Sequence, residues 1–219
     1  MNVKLPISAR LIDDACNALN VWDFGNDVLY ALCREHPKHI EHGKIVAKVW
    51  LIGRSYAAAI ERRRPQGNYV GDEYYEKCVA PIMKGSEIDI WFQNILDDKT
   101  NDTELSLQVH RYLTDLFKRI SHQDKRSLAS KYLHFHFPER FFIFDSRANK
   151  AIRSLVAVPK APNSPFNKSD QQDSEYASFF RRCKALTECF AQQGRKVSPR
   201  ELDKVLLWVS RPSVLQQKV

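Results

Sequence analysis

The sequence predicts an all-α fold, and three observations carry that expectation. Apolar residues recur at i, i+3 and i+4 through most of the chain. Only seven of its 219 residues are glycine, too few for a sheet protein built on many tight turns. One short run alone, Phe141-Phe142-Ile143-Phe144, reads as extended.

The elements follow in order. Leu11, Ile12, Ala15, Ala18 and Leu19 form a first stripe behind Ser8, an N-cap residue. Val28, Leu29, Leu32 and Cys33 form a short second helix that closes before Pro37. Residues 43–64 predict one long helix, or two abutting ones with a break at Gly53. Residues 71–84 and 86–97 give two more, the second opened by Ser86 with Asp89 three positions on. Residues 102–120 are strongly amphipathic through Leu105, Val109, Leu113, Leu116 and Ile120, and 124–137 follow after a short turn. Beyond Pro138 and the Phe-rich run, Asp145 stands where it would cap a helix over 145–156. The Pro-, Ser-, Asn- and Gln-rich stretch 157–175 predicts an exposed loop. Helices over 176–193 and 198–210 complete the chain, the last opened by Ser198-Pro199-Arg200-Glu201, a capping box with Pro in the first turn.

Composition narrows the function. The net charge is +8 and the pI about 9.3, which favours a polyanionic partner. Residues 111–153 hold ten basic and four acidic side chains, so a fifth of the chain carries most of the excess. The same segment holds the tight helix–turn–helix 102–137. Such a turn aims backbone N–H groups outward at the start of its second helix, where a phosphate binds well. No GxGxxG or GxxxxGK[ST] occurs, which removes classical dinucleotide and P-loop functions. Five cysteines without a CxxC pair make neither a disulfide framework nor a zinc or iron–sulfur set, and free thiols fit a cytoplasmic protein. No 18-residue apolar run and no signal-type apolar segment is present, so no membrane association is expected. His134 and His136, two apart, leave different sides of a helix and make poor joint metal ligands. Neither metal nor cofactor is expected, and no obligate protein partner is evident.

The stretch 127–153, SLASKYLHFHFPERFFIFDSRANKAIR, carries the chemistry. An apolar run delivers one carboxylate, Asp145, to a helix start. Phe141-Phe142-Ile143-Phe144-Asp145 resembles the segment that presents the catalytic Asp in the helix-hairpin-helix DNA glycosylases, the superfamily of endonuclease III and adenine glycosylase. Ala129 matches the hairpin alanine of that family without a gap. The family's nucleophilic lysine position then falls on Ser127, as in the adenine glycosylase branch, and Lys131, one turn later, is the rival nucleophile. The hairpin glycines of the family are absent here; His122-Gln123-Asp124-Lys125-Arg126 stands in their place. The resemblance covers about residues 43–153.

That resemblance implies one all-α unit over 1–219 in two lobes: 43–140, a helical barrel with the hairpin, and 1–42 plus 141–219, the terminal helices. It implies a monofunctional enzyme that flips a damaged or modified base out of double-stranded DNA and hydrolyses its N-glycosidic bond. The role would be repair, or defence against foreign DNA such as phage DNA with hypermodified pyrimidines. A carboxylate beside the sugar stabilises the oxocarbenium-like transition state. Base flipping further needs phosphate clamps, a plug and a pocket. Lys125, Arg126, Arg147 and Lys150 are candidate clamps, Arg54 and Tyr56 candidate plugs, and Tyr132, His134, His136, Trp50 and Trp208 candidate pocket residues. Two alternatives remain: a non-catalytic helix-hairpin-helix DNA-binding module, and a metal-dependent defence nuclease using Asp89, Asp97 and Asp98.

Overall fold

The computed structural model describes residues 8–63, 69, 71–157 and 172–211. Among them are ten α-helices and no β-strand, as the periodicity predicts. α1 (Ala9–Ala18) is capped by Ser8, whose Oγ accepts from the Leu11 amide at 3.2 Å. α2 (Asp23–Glu35) starts five residues before the Val28 stripe. Asp23 at its first turn accepts from Lys204 Nζ at 2.7 Å, a contact 181 residues away in sequence.

α3 (His42–Ser55) stops well short of residue 64. Residues 56–63 turn back, with Ala57 and Arg63 in the left-handed region at φ 51° and 61°. Gly53 does not break this helix. A Cβ there would stand 3.1 Å from the Ala59 Cα, so the glycine admits the returning chain. Residues 71–84 form a widened π turn, Tyr75–Val79, and then α4 (Ala80–Lys84). Pro81 has no N–H for the regular bond to the Lys77 carbonyl, and the ladder changes register just before it. Ahead of α5 (Ile88–Asp97) the expected Ser86–Asp89 capping box does not form. Ser86 Oγ donates to the Met83 carbonyl at 2.6 Å, and Asp89 turns away to His39.

α6 (Thr103–Ser121) is capped by Asp102 and closed by His122, whose φ of 57° and amide bond to the Lys118 carbonyl at 2.8 Å make the left-handed stop usually given to glycine. A non-glycine residue pays about 1–2 kcal/mol for that conformation. α7 (Arg126–His136) follows at once, so the glycine-free hairpin still turns tightly. The run 141–145 is extended but joins no sheet. α8 (Ser146–Leu155) then starts under Asp145, whose Oδ1 accepts from the Ala148 amide at 2.7 Å. α9 (Ser174–Gln192) begins two residues earlier than expected, capped by Asp173. Residues 158–171 of the expected loop lie outside the described residues. α10 (Pro199–Val209) carries the capping box read from its sequence.

α7 lies at the centre, against α2, α3 and α6. α10 packs on α1 and α8, and α8 on α9. α2, assigned by sequence to the terminal lobe, packs instead on α3 and α7. One apolar cluster runs through both groups. Among the described residues, no helix is long and apolar enough to cross a membrane.

Candidate active site

The extended segment explains why α7 buries so many polar side chains. Phe141 to Phe144 are all buried, and with no neighbouring strand their backbone groups need other partners. Side chains supply them. His134 Nδ1 bonds the Phe141 carbonyl at 2.7 Å, Tyr176 Oη donates to the Phe142 carbonyl at 3.1 Å, and the Phe144 amide donates to Ser130 Oγ at 3.0 Å. The Phe144 carbonyl receives two donors, Ser127 Oγ at 3.0 Å and Lys131 Nζ at 2.8 Å.

Lys131 also donates to Ser127 Oγ at 2.6 Å. The two candidate nucleophile positions, one turn apart on α7, therefore touch. Where the ungapped match expects a hydroxyl without an amine, the structure puts both. The ammonium has three N–H groups and, among the described residues, two hydrogen-bond acceptors. The Tyr56 ring lies 5.9 Å from Nζ. Lys131 is 1% exposed, and burial lowers its pKa to about 8 against the opposing pull of the Asp145 and Asp203 carboxylates.

Asp203 was not a sequence candidate. It sits on α10 beside the apolar stripe Leu202, Val205, Leu206 and Val209, and burial raises its pKa to about 6, opposed first by Arg200. Its Oδ2 accepts from Arg200 Nη1 at 2.7 Å, while its Oδ1 is buried with no hydrogen-bond partner among the described residues. An unused N–H and an unpaired carboxylate oxygen thus belong to one electrostatic cluster, with Asp145 as its third member.

The expected phosphate clamps divide into two kinds. Lys125 Nζ donates to the Arg62 carbonyl at 2.6 Å and holds the 56–63 turn. Arg126 is committed to Asp173 and Glu175, both at 2.7 Å. Neither cation of the hairpin turn is free, although α7 has no side-chain cap on its first-turn amides. Arg147 and Lys150 are exposed on α8 and make no ion pair among the described residues, and Arg153 continues the row. Sequence clustering flagged this segment but not which of its cations stay unpaired.

The plug and pocket candidates are not assembled as expected. Arg54 pairs with Glu61 at 3.1 Å and lies over the half-buried Trp50 ring. Tyr56 is half-buried, donates to Asn26 Oδ1 at 2.6 Å, and so belongs to the Lys131 wall rather than to a surface wedge. Tyr132 and His136 pack against His39 and Phe92, ring planes tilted or edge-on, on another side of α7. His134 is a buried linker between Tyr30 Oη at 2.6 Å and the Phe141 carbonyl. Trp208 lies under Arg211. The three nuclease carboxylates go to separate partners: Asp89 to His39, Asp97 to Gln93 and Asp98 to Arg140.

Compared with protein-family models, curated proteins and solved structures, the chain matches none.

Proposed function

We propose that this protein is a DNA glycosylase in which Lys131 is the nucleophile and Asp145 the carboxylate that steadies the developing sugar cation. The observation that carries the reading is the buried Lys131 amine, short of one acceptor, in a cluster with Asp145 and the unpaired Asp203 oxygen. A pKa near 8 leaves a useful fraction of neutral amine near pH 7. The amine attacks C1′, the C1′–N bond breaks, and the base leaves with the electron pair and takes up a proton. The amine loses its own proton to the carboxylate cluster, the cluster returns a proton to O4′ as the C1′–O4′ bond breaks, and water hydrolyses the resulting imine to the abasic sugar. This replaces the hydrolytic course expected from Ser127. Ser127 instead accepts a hydrogen bond from the amine and orients it.

The row Arg147, Lys150 and Arg153, starting two residues after Asp145, supplies phosphate contacts without sequence preference. The amine is enclosed, so binding of DNA has to part Tyr56 or the α8 start from it.

A helix-hairpin-helix module without catalysis is favoured by one observation: the bonds from Lys131 and Ser127 to the Phe144 carbonyl also serve the fold. One experiment separates the two readings. The protein is incubated with a panel of modified duplexes and phage DNAs in EDTA, abasic sites are assayed, and borohydride is present during turnover. The enzyme reading expects abasic sites and a trapped protein–DNA adduct that Lys131→Ala abolishes. Tight duplex binding with no abasic sites on any substrate favours the module.

A further inference from the structure

One buried cation has no counter-charge. Among the described residues Arg182, on α9, is the only buried arginine, at 6% exposed. Arg140 is matched by Asp98, the Ser106 hydroxyl and two carbonyls. Arg126, Arg181 and Arg200 each hold a carboxylate. Arg182 holds none among the described residues. Its Nη1 donates to Ser178 Oγ at 2.5 Å and to the Ser178 carbonyl at 3.4 Å. Its Nε is buried with no hydrogen-bond partner, and its Nη2 donates to nothing among the described residues. An unpaired charge is unfavourable in an interior, where charges are normally matched.

A second cation adds to the imbalance. Asn149 Nδ2 of α8 donates to Glu175 Oε1 of α9 at 2.9 Å, which pins the two helices at that level. One turn beyond Asn149 stands the exposed Arg153, and two turns beyond Glu175 stands Arg182. The two guanidiniums are close enough to repel: burial, and after it the Arg153 charge, lower the Arg182 pKa. Arg153 also has no carboxylate partner among the described residues.

The unused part of Arg182 has a definite shape. Nε–H and the neighbouring Nη2–H point the same way from a planar group and form a fork that takes two oxygens of one anion. A carboxylate or a backbone phosphodiester has one charge and two free oxygens, which that fork alone occupies. A phosphate monoester or inorganic phosphate has three or more oxygens and close to two charges at neutral pH, enough for both guanidiniums.

We propose that the crevice between α8 and α9 binds a dianionic phosphate group, two of its oxygens on the Nε–Nη2 edge of Arg182 and another on Arg153. The group is a free phosphate or the terminal phosphate of a DNA strand, which share this chemistry. The site does not involve the Lys131 amine, so either can fail without the other.

Thermal melts of the full chain in inorganic phosphate, against chloride of equal ionic strength, test the site without reading base release. The melting temperature should rise with phosphate concentration, as it does for a ligand held by the folded state alone. Arg182→Gln removes the fork and should abolish the rise. Should that variant fail to fold, Arg153→Gln decides: the side chain is exposed, the fold should persist, and phosphate should bind about tenfold more weakly, the loss of one charged hydrogen bond. Short duplexes with and without a 5′-phosphate separate the two sources. Tighter binding of the phosphorylated duplex that Arg153→Gln removes assigns the site to a strand end. Equal binding of both duplexes, with the phosphate-dependent rise intact, assigns it to a free phosphate. No rise in phosphate over chloride, a rise that survives Arg182→Gln, an unchanged phosphate affinity in Arg153→Gln, or displacement of phosphate by the unphosphorylated duplex overturns the proposal.

Discussion

Two buried lysines, Lys48 on α3 and Lys131 on α7, look alike by burial and by acidity and differ in what their protons do. Each is no more than 1% exposed, and burial lowers each pKa to about 8. Lys48 donates to the His36 carbonyl at 2.8 Å and the Lys38 carbonyl at 3.2 Å, and meets His39 Nε2 at 3.3 Å. Its three N–H groups are accounted for, and it ties the end of α2 to α3. Among the described residues, Lys131 has two acceptors and lies in the field of two carboxylates, one with a buried unpaired oxygen. A lowered lysine pKa alone does not mark a reactive amine. Unfilled hydrogen-bonding capacity beside an unpaired acid is what distinguishes Lys131, and the proposed function rests on that difference.

The sharpest break in this comparison is to remove each amine. Lys131→Ala should cut base release and the borohydride-trapped adduct by about a thousandfold or more, as loss of a nucleophile does. Its fold should persist, because Ser127 still bonds the Phe144 carbonyl. Lys48→Ala should cost about 2–5 kcal/mol of stability, since it empties the space of a fully buried side chain and leaves two partly buried carbonyls without their donor. Its rate per folded molecule should be unchanged. Equal kinetic losses in the two variants would falsify the distinction.

Asp145→Asn comes next. Asn caps a helix about as well as Asp, so folding and DNA binding should survive. Losing the charge beside the sugar should slow base release about a hundredfold or more, or ~3–4 kcal/mol. Full activity in the folded variant would reduce Asp145 to the helix cap that its bond to Ala148 also shows.

A third expectation is the pH dependence of stability. A lysine near 8 folded and 10.5 unfolded makes the unfolded chain bind more protons between those values. Stability against denaturant should therefore rise with pH across that window, and Lys48→Met should flatten the rise. His39 and His134, held near 4 against 6.5 by burial, act with the same sign on the acid side. Stability should fall as pH drops from 6.5 toward 4. The rate of base release should climb toward pH 8 as Lys131 loses its proton, and a flat profile would count against the amine.

The smallest effects concern DNA affinity. Arg147→Ala and Lys150→Ala should each weaken binding to all sequences alike and lower the salt slope by about one. Arg126→Ala should act mainly on stability, because its guanidinium holds Asp173 and Glu175. A larger loss of affinity at Arg126 than at Arg147 would return the phosphate contact to the hairpin.

Periodicity and capping are local properties, and they were legible. The stripes of α1, α6 and α10 and the caps Ser8, Asp145 and Ser198 involve residues within a few positions of one another. The candidates Ser127, Lys131 and Asp145 were legible for the same reason, since 19 consecutive positions contain them. The end of α3 was not, because the left-handed turn beyond it is held by Lys125 from 63 residues away. Asp203 in the Lys131 cluster, His39 against Asp89 and Arg126 against Asp173 were equally hidden. By itself the sequence determined the all-helical class, the caps Ser8, Asp145 and Ser198 and where the positive charge gathers. Only the tertiary structure decided which cations are spent, which amine keeps a free N–H and which carboxylate stays unpaired. Hydrogen-bonding capacity is filled by whatever packs nearby, and in a helical core those neighbours come from distant parts of the chain.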